Sequence, residues 1–354
     1  MGTPNRAHQQ LSKPTTAYPS ARPQNMTSRV RVGIAGIGSH VPEKILSNRD
    51  LEQLVDTTDE WIVKRTGIRE RRVVSPGENC SDLATAAAQK ALAAAGIAAT
   101  ELDMIIVGTV TADHVFPGVA PQVQVNIGAP QASAFDVSAA CSGFLAVLNC
   151  GEAFIASGAA RRVLVIGAEA LTRMVNYEDR GSCILFGDAA GAAVLTPFEH
   201  CDQGEILRRS LGADGTGHSM IWMESGGTKQ PHHMEGYDSS RNFIAMQGRE
   251  VYRFAVQKMA ELIETSLEGT DPEEFGLVIP HQVNQRIIDG ALERVGLAPE
   301  KVVVNIERYG NTSAASVPLA WDEALRDGRV ERGKLLVLVA FGAGLTWGSA
   351  LVRW

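Results

Sequence analysis

AFDVSAACSG (134–143) and VVVNIERYGNTSAAS (302–316) decide how this chain folds. Each reads as a short apolar strand followed by a turn of small residues that opens a helix. Outward from them the same succession occurs twice. IIVG (105–108) has its counterpart 173 positions later in VIPH (278–281), and VLVI (163–166) maps onto LVLV (336–339) at the same offset. Runs this continuously apolar suit strands covered on both faces. Alternating with helical stretches, they predict an α/β protein with internal, mixed or parallel sheets. The repeat predicts two copies of one fold packed together, an N-terminal half over 29–203 and a C-terminal half over 204–354. VRVGIAGI (30–37) reads as the opening strand, and Ser81 as the cap of a helix that stops at Gly96. A further helix is expected from about Cys141 to Gly158, and another from near Pro318 to Gly328.

Composition narrows the function. Of 354 residues, 45% are hydrophobic and 21% charged, as in an ordinary globular protein, and the net charge of -7 provides no global basic field for nucleic acid or anionic lipid. No apolar run approaches the ~20 residues that span a bilayer. Five cysteines without C-x-x-C spacing argue against a disulfide framework or a structural zinc site, and for a reducing, cytoplasmic setting. Residues 1–28 are rich in Pro, Ser, Thr, Asn and Gln and read as a disordered extension; Met26 offers an alternative start just before the first apolar run.

Three residues at strand-to-helix junctions could carry chemistry. Cys141 follows a buried strand at the start of a helix, where exposed N–H groups and the helix dipole favour a thiolate. A packing cysteine is the plainer alternative. His281 closes the apolar strand LVIPH, and Asn311 lies in a Gly-Asn turn at the end of another strand. Each alone could be structural. Together they are a nucleophile and two groups able to hydrogen-bond a developing oxyanion. Papain-like proteases share the order Cys, His, Asn, but here the cysteine lies deep in a duplicated α/β chain. GIAGIG (33–38) lacks the dinucleotide-binding glycine order, and His218, His232 and His233 have no second ligand pair at metal-binding spacing.

Several longer stretches carry a family resemblance: DTTDEWIVKRTGIRERR (56–72), DVSAACSGF (136–144), DRGSCILFGDAAGAAVL (179–195), IPHQVNQRI (279–287), GNTSAASVPLA (310–320) and AFGAGLTWGSALVRW (340–354). In this order they resemble β-ketoacyl-acyl-carrier-protein synthase III, the condensing enzyme that initiates type II fatty-acid synthesis. The resemblance implies a duplicated thiolase fold, five-layered α-β-α-β-α with two mixed sheets, in a homodimer. It implies that Cys141 takes the acyl group from a short acyl-CoA. His281 and Asn311 would then assist decarboxylation of malonyl-acyl-carrier-protein, and the backbone N–H groups of Cys141 and Ala343 would hold the acyl oxyanion.

By the same resemblance, Trp61, Arg65, Arg180, Gly248 and Asn284 bind coenzyme A, Trp61 stacking on the adenine with Arg180 on its other face. Phe116 and Phe341 border the acyl pocket, Phe116 reaching across the dimer, and Arg253, Arg286 and Arg294 dock the acidic carrier protein. Coenzyme A enters as a thioester substrate, and no metal or redox cofactor is implied. Residues 217–243, longer than in compact members, read as a mobile lid. The alternatives are a same-fold acyltransferase passing the acyl group to a hydroxyl or amine, and an inactive carrier-protein-binding subunit. A degradative thiolase would need a second catalytic cysteine near the C-terminus, and the last here is Cys201.

Overall fold

The computed structural model describes residues 30–354, so the extension expected over 1–28 lies outside the described residues. One sheet contains β1 (Val32–His40), β2 (Met104–Gly108), β3 (Ser133–Val137), β4 (Val163–Ala170) and β5 (Asp188–Pro197), in the order β1-β5-β4-β2-β3. The other contains β6 (Glu205–Ala213), β7 (Phe275–Pro280), β8 (Leu335–Gly342) and β9 (Thr346–Arg353), in the order β6-β9-β8-β7. In the first, β2 runs parallel to β3 and β4, and β5 antiparallel to β1 and β4. In the second, β7 runs parallel to β8, and β9 antiparallel to β6 and β8. Without the edge strand β3, the two sheets share one order and one set of directions.

The second half departs from expectation where VVVN (302–305) was read as a strand. Val302 makes a single parallel bridge to Val278, and the chain then turns into a short helix at Ile306–Tyr309. The Gln282 side chain replaces the missing ladder: its Nε2 donates to Val303 O at 3.0 Å and its Oε1 accepts from Asn305 N at 3.0 Å.

Seven helices position the site: α1 (Asp59–Thr66), α2 (Cys80–Ala95), α3 (Val119–Ile127), α4 (Gly143–Ala156), α5 (Gly248–Leu267), α6 (Gln285–Val295) and α7 (Ser316–Arg326). α2 and α3 cover the outer face of the first sheet, α4 and α7 lie between the sheets, and α5 and α6 cover the outer face of the second. The layering is α-β-α-β-α. Between the sheets, Phe144 and Leu145 of α4 and Trp321 of α7 are buried against Ile34 and Leu338. Each such side chain contributes on the order of 1.5–3 kcal/mol through removal from water.

Two boundaries shift from the sequence reading. α2 is capped by Asn79, not Ser81, with Asp82 returning a bond to Asn79 N at 2.8 Å, while Gly96 ends it at φ 65° as expected. α4 starts at Gly143 because Ala140–Ser142 form a separate 3-10 turn, with Ala140 at φ 45°. Residues 217–243 belong to an excursion closed by antiparallel pairing of Ile221–Trp222 with Ala245–Met246.

Candidate active site

The turn at Ser313–Ala315 joins the three candidate residues. Asn311 is fixed by its main chain, N donating to Leu185 O at 2.8 Å and O accepting from Gly187 N at 3.1 Å. Its Oδ1 accepts from Ser313 N at 2.8 Å, leaving the NH2 group as the remaining donor. His281 follows β7, is fully buried, and places Nδ1 2.7 Å from Ser316 Oγ; no described residue hydrogen-bonds its Nε2. Cys141 lies in the turn after β3, which packs against the Ser313–Ala315 turn: a Cβ on Gly143 would lie 3.1 Å from the Ala314 Cβ. From the other sheet, Gly342 at the end of β8 lies so close that a Cβ there would come within 2.8 Å of the Cys141 Cβ. Ala343 is the next residue, which brings its main chain beside the sulfur-bearing turn.

Burial governs the protonation states. Cys141 keeps some accessible surface, yet the protein enclosing its sulfur pushes the thiol up to about 12; the nearby Ser313 hydroxyl opposes this, and the Glu169 charge adds to it. The sequence argument from the helix dipole pointed the other way. Enclosure of the sulfur in a turn ahead of α4 acts against that effect. Burial also lowers His281 to about 3, so the imidazole is neutral near pH 7.

Ser316 Oγ lies within reach of two acceptors, His281 Nδ1 and Ser313 O at 2.8 Å. Ser313 O already receives the Ser316 N–H. The hydroxyl proton can therefore go to Nδ1, which puts the imidazole proton on Nε2 and makes His281 a donor towards the site.

A cavity of about 880 Å³ leads to Asn311. Trp61, Arg65, Gly248, Asn284, Arg253 and Arg286 all line it, together with Met246 from the hairpin excursion and Arg249. Trp61 carries the Arg65 guanidinium at 4.3 Å and the Arg180 guanidinium at 4.8 Å from its ring centroid. Such contacts are worth only about 0.5–1 kcal/mol each when exposed, little enough for a stacking ring to displace one. Arg180 is also held by Asp56, through its carbonyl at 3.0 Å. Asn284 caps α6 and donates to Arg65 O at 3.1 Å, fixing one wall. Phe341 is buried edge-on to His281, with ring centroids 5.9 Å apart. Phe116 and Arg294 do not line this cavity: Phe116 is 84% exposed in the loop before α3, and Arg294 sits on the last turn of α6.

Sequence reading passed over Glu169, Ser313 and Ser316. Glu169 could have been found as the one acid inside the fully buried strand VLVIGAEA (163–170). The two serines had no comparable signal, since small polar residues in a turn are ordinary.

The family model described as 3-Oxoacyl-[acyl-carrier-protein (ACP)] synthase III matches residues 135–215, and the one for its C terminal matches residues 266–354. The chain is 49% identical over 331 residues to Beta-ketoacyl-[acyl-carrier-protein] synthase III of Caldanaerobacter subterraneus subsp. tengcongensis, covering 93% of this chain and 99% of that one. It is 50% identical over 325 residues to the protein of that name from Symbiobacterium thermophilum, covering 91% and 98%. The crystal structure of 3-oxoacyl-[acyl-carrier-protein] synthase III from Aquifex aeolicus VF5 superposes with a TM-score of 0.83 at 45% identity, covering 91% of this chain and all of that one.

Proposed function

The chain belongs to the β-ketoacyl-acyl-carrier-protein synthase III family, with the duplicated thiolase fold, and from that membership we infer the reaction it performs. It is a condensing acyltransferase that initiates fatty-acid synthesis, joining an acyl-CoA to malonyl-acyl-carrier-protein. The observation that carries the assignment of residues is the turn at 313–316, which holds Asn311 and, through Ser316, His281, and packs against the turn that bears Cys141.

Cys141 attacks the acyl-CoA carbonyl, with the oxyanion received by the N–H groups of Cys141 and Ala343, and coenzyme A leaves. Malonyl-acyl-carrier-protein then presents its thioester oxygen to His281 Nε2 and the Asn311 amide. Both donors are neutral and buried, so the enolate formed as carbon dioxide departs is stabilised without competition from water. A single donor of this kind is worth about 3–4 kcal/mol. The enolate carbon attacks acyl-Cys141 and expels the thiolate. Nucleophile and donors come from the chain itself, so no metal or redox step enters.

The cavity walls support a CoA site at Trp61, Arg65, Gly248 and Asn284, with Arg180 on the Trp61 ring, and Arg253 and Arg286 support carrier-protein docking, with Arg294 further along the helix of Arg286. Phe341 beside His281 suits one wall of the acyl pocket. A homodimer is supported by the unpaired edge of β3 and by exposed Val115, Phe116, Val125 and Phe135 around it; Phe116 would complete the partner's acyl pocket. The enzyme acts in the cytoplasm on this reading, and no helix among the described residues is long and apolar enough to cross a membrane.

Intact-protein mass spectrometry after incubation with a panel of acyl-CoAs, followed by malonyl-acyl-carrier-protein, tests the reaction. The expected result is an acyl adduct on Cys141 that is discharged as β-ketoacyl product. An adduct that the malonyl thioester leaves in place would make the protein an acyltransferase of another kind.

A further inference from the structure

Arg71 has no part in the chemistry above, yet it is fully buried, and no carboxylate among the described residues hydrogen-bonds it. Taking a guanidinium out of water without a counter-ion is costly unless its N–H groups find other acceptors. Here Nη1 donates to Leu46 O at 3.1 Å and to Asn48 Oδ1 at 2.9 Å, and Nη2 donates to Ile184 O at 2.7 Å. Leu46 faces Arg71 in a short antiparallel pair of Ile45–Ser47 with Glu70–Arg72. Asn48 in turn donates to Ile68 O at 2.8 Å and to Asp59 Oδ1, at the head of α1, at 2.7 Å.

Ile184 opens the segment from which Asn311 hangs, since Asn311 N donates to Leu185 O and Gly187 N to Asn311 O. Among the described residues, no side chain other than Arg71 hydrogen-bonds residues 184–187. The stem of Arg71 packs at the same place: a Cβ on Gly187 would lie 3.0 Å from the Arg71 Cβ, and one on Gly310 3.4 Å from it. The helix Ile306–Tyr309 that leads into Asn311 is held on another side by Glu323 of α7, which accepts from the Tyr309 hydroxyl at 2.6 Å and from Asn305 Nδ2 at 2.7 Å. Arg69 N, on the chain leaving α1, donates to Glu307 O of that helix at 2.9 Å.

We propose that Arg71 is a positioning residue for the Asn311 amide: by clamping Ile184 it fixes the 184–187 segment, and with it the donor that receives the malonyl thioester oxygen. A guanidinium sends its N–H groups in fixed directions, so one side chain spans the Leu46 carbonyl, Asn48 and the Ile184 carbonyl. An ammonium on a flexible stem keeps the charge and loses that span. The same fork ties the support of Asn311 to α1, which carries Trp61 and Arg65, through Asn48 and Asp59. The turn bearing Cys141 and the main chain of Ala343 receive no hydrogen bond from Arg71, so the clamp serves condensation and not acylation.

The proposal rests on the condensation reading, and one of its two measurements does not need substrate. Wild type, Arg71→Lys and Arg71→Gln are acylated with acyl-CoA, freed of excess reagent and mixed with malonyl-acyl-carrier-protein in a single turnover. Both variants should acylate at near the wild-type rate, then condense about 10–10²-fold more slowly at saturating carrier, with little change in the half-saturating concentration. Hydrogen–deuterium exchange of the free proteins is the second measurement. In the wild type the Asn311 and Gly187 amides should be as protected as those of β8, and in the variants peptides over 184–188 and 309–313 should lose protection while β8 keeps it. Acylation and condensation falling together would overturn the positioning role. So would wild-type exchange at Asn311 and Gly187 at the rate of an open loop, a result that does not depend on either variant folding. A wild-type acyl-enzyme that the malonyl thioester does not discharge would count against the condensation reading, and the exchange pattern would then decide for or against the clamp.

Discussion

The two halves place different residues at equivalent points of one framework. Gly108 ends β2 and meets Gly143 at the head of α4 so closely that a Cβ on it would lie 2.7 Å from Gly143 O. At the same offset of 173, β7 is followed by His281, which meets Ser316 at the head of α7 through a 2.7 Å hydrogen bond. Cys141 corresponds to Ala314, and Glu169 to Gly342, the residue packed on Cys141. Ala140 and Ser313, also equivalent, are both held at a positive φ that costs a non-glycine residue roughly 1–2 kcal/mol. One half is closed tightly around a nucleophile, and the other is opened just enough to admit a donor. Symmetry lost at a few positions is what makes the site.

The largest test of this division of labour is Asn311→Ala. Condensation should fall about 10²–10³-fold while acylation of Cys141 stays near normal, measured as product formation against adduct formation. Equal loss of both would mean that Asn311 serves the nucleophile's half as well. Next is Gly108→Ala, which adds a methyl where the first half has no room. It should lower unfolding free energy by about 1–3 kcal/mol, read from the urea midpoint. An unchanged midpoint would show that the two strand exits are equally spacious.

The smallest effect concerns the helices that follow those exits. α3 (VAPQVQVNI) carries no charge, whereas α6 (QRIIDGALERV) carries Arg286 at the cavity mouth and Arg294 a few turns on. Arg286→Glu should raise KM for the carrier protein several-fold, in a salt-sensitive way, and leave acyl-CoA loading alone. If KM for the carrier does not move, docking lies elsewhere and the contrast between α3 and α6 is not about partners.

The framework was legible because it rests on long-range regularities. Two apolar runs repeated at one offset survive any local ambiguity, and Gly96 marks a helix end wherever the helix begins. What escaped depends on a single side chain in three dimensions. Val302 and its neighbours have strand character, but Gln282 occupies the bonds a strand would use. Cys141 reads as a helix-start thiolate, and the enclosure of its sulfur, which acts against that charge, is visible only in three dimensions. Trp61, Arg65 and Arg180 were expected around a nucleotide; that both guanidiniums rest on one ring follows from α1 and the 180 loop being brought together by the fold. Cys141, His281 and Asn311 could be picked out because each stands in or beside a turn of small residues after an apolar run, although only the run before His281 is a buried strand.

The contact between Gly342 and Cys141 also bears on the order in which the molecule comes into being. The nucleophile is synthesised about 200 residues ahead of the β8–β9 hairpin that closes over it. At translation rates of roughly 5–20 residues per second, that leaves an interval on the order of ten to forty seconds. For most of it the chain lacks Ala343, and the donors at 281 and 311 are themselves made only about 140 and 170 residues after Cys141. Nucleophile and donors stand together only once the second sheet has docked, so turnover reports on the assembled fold.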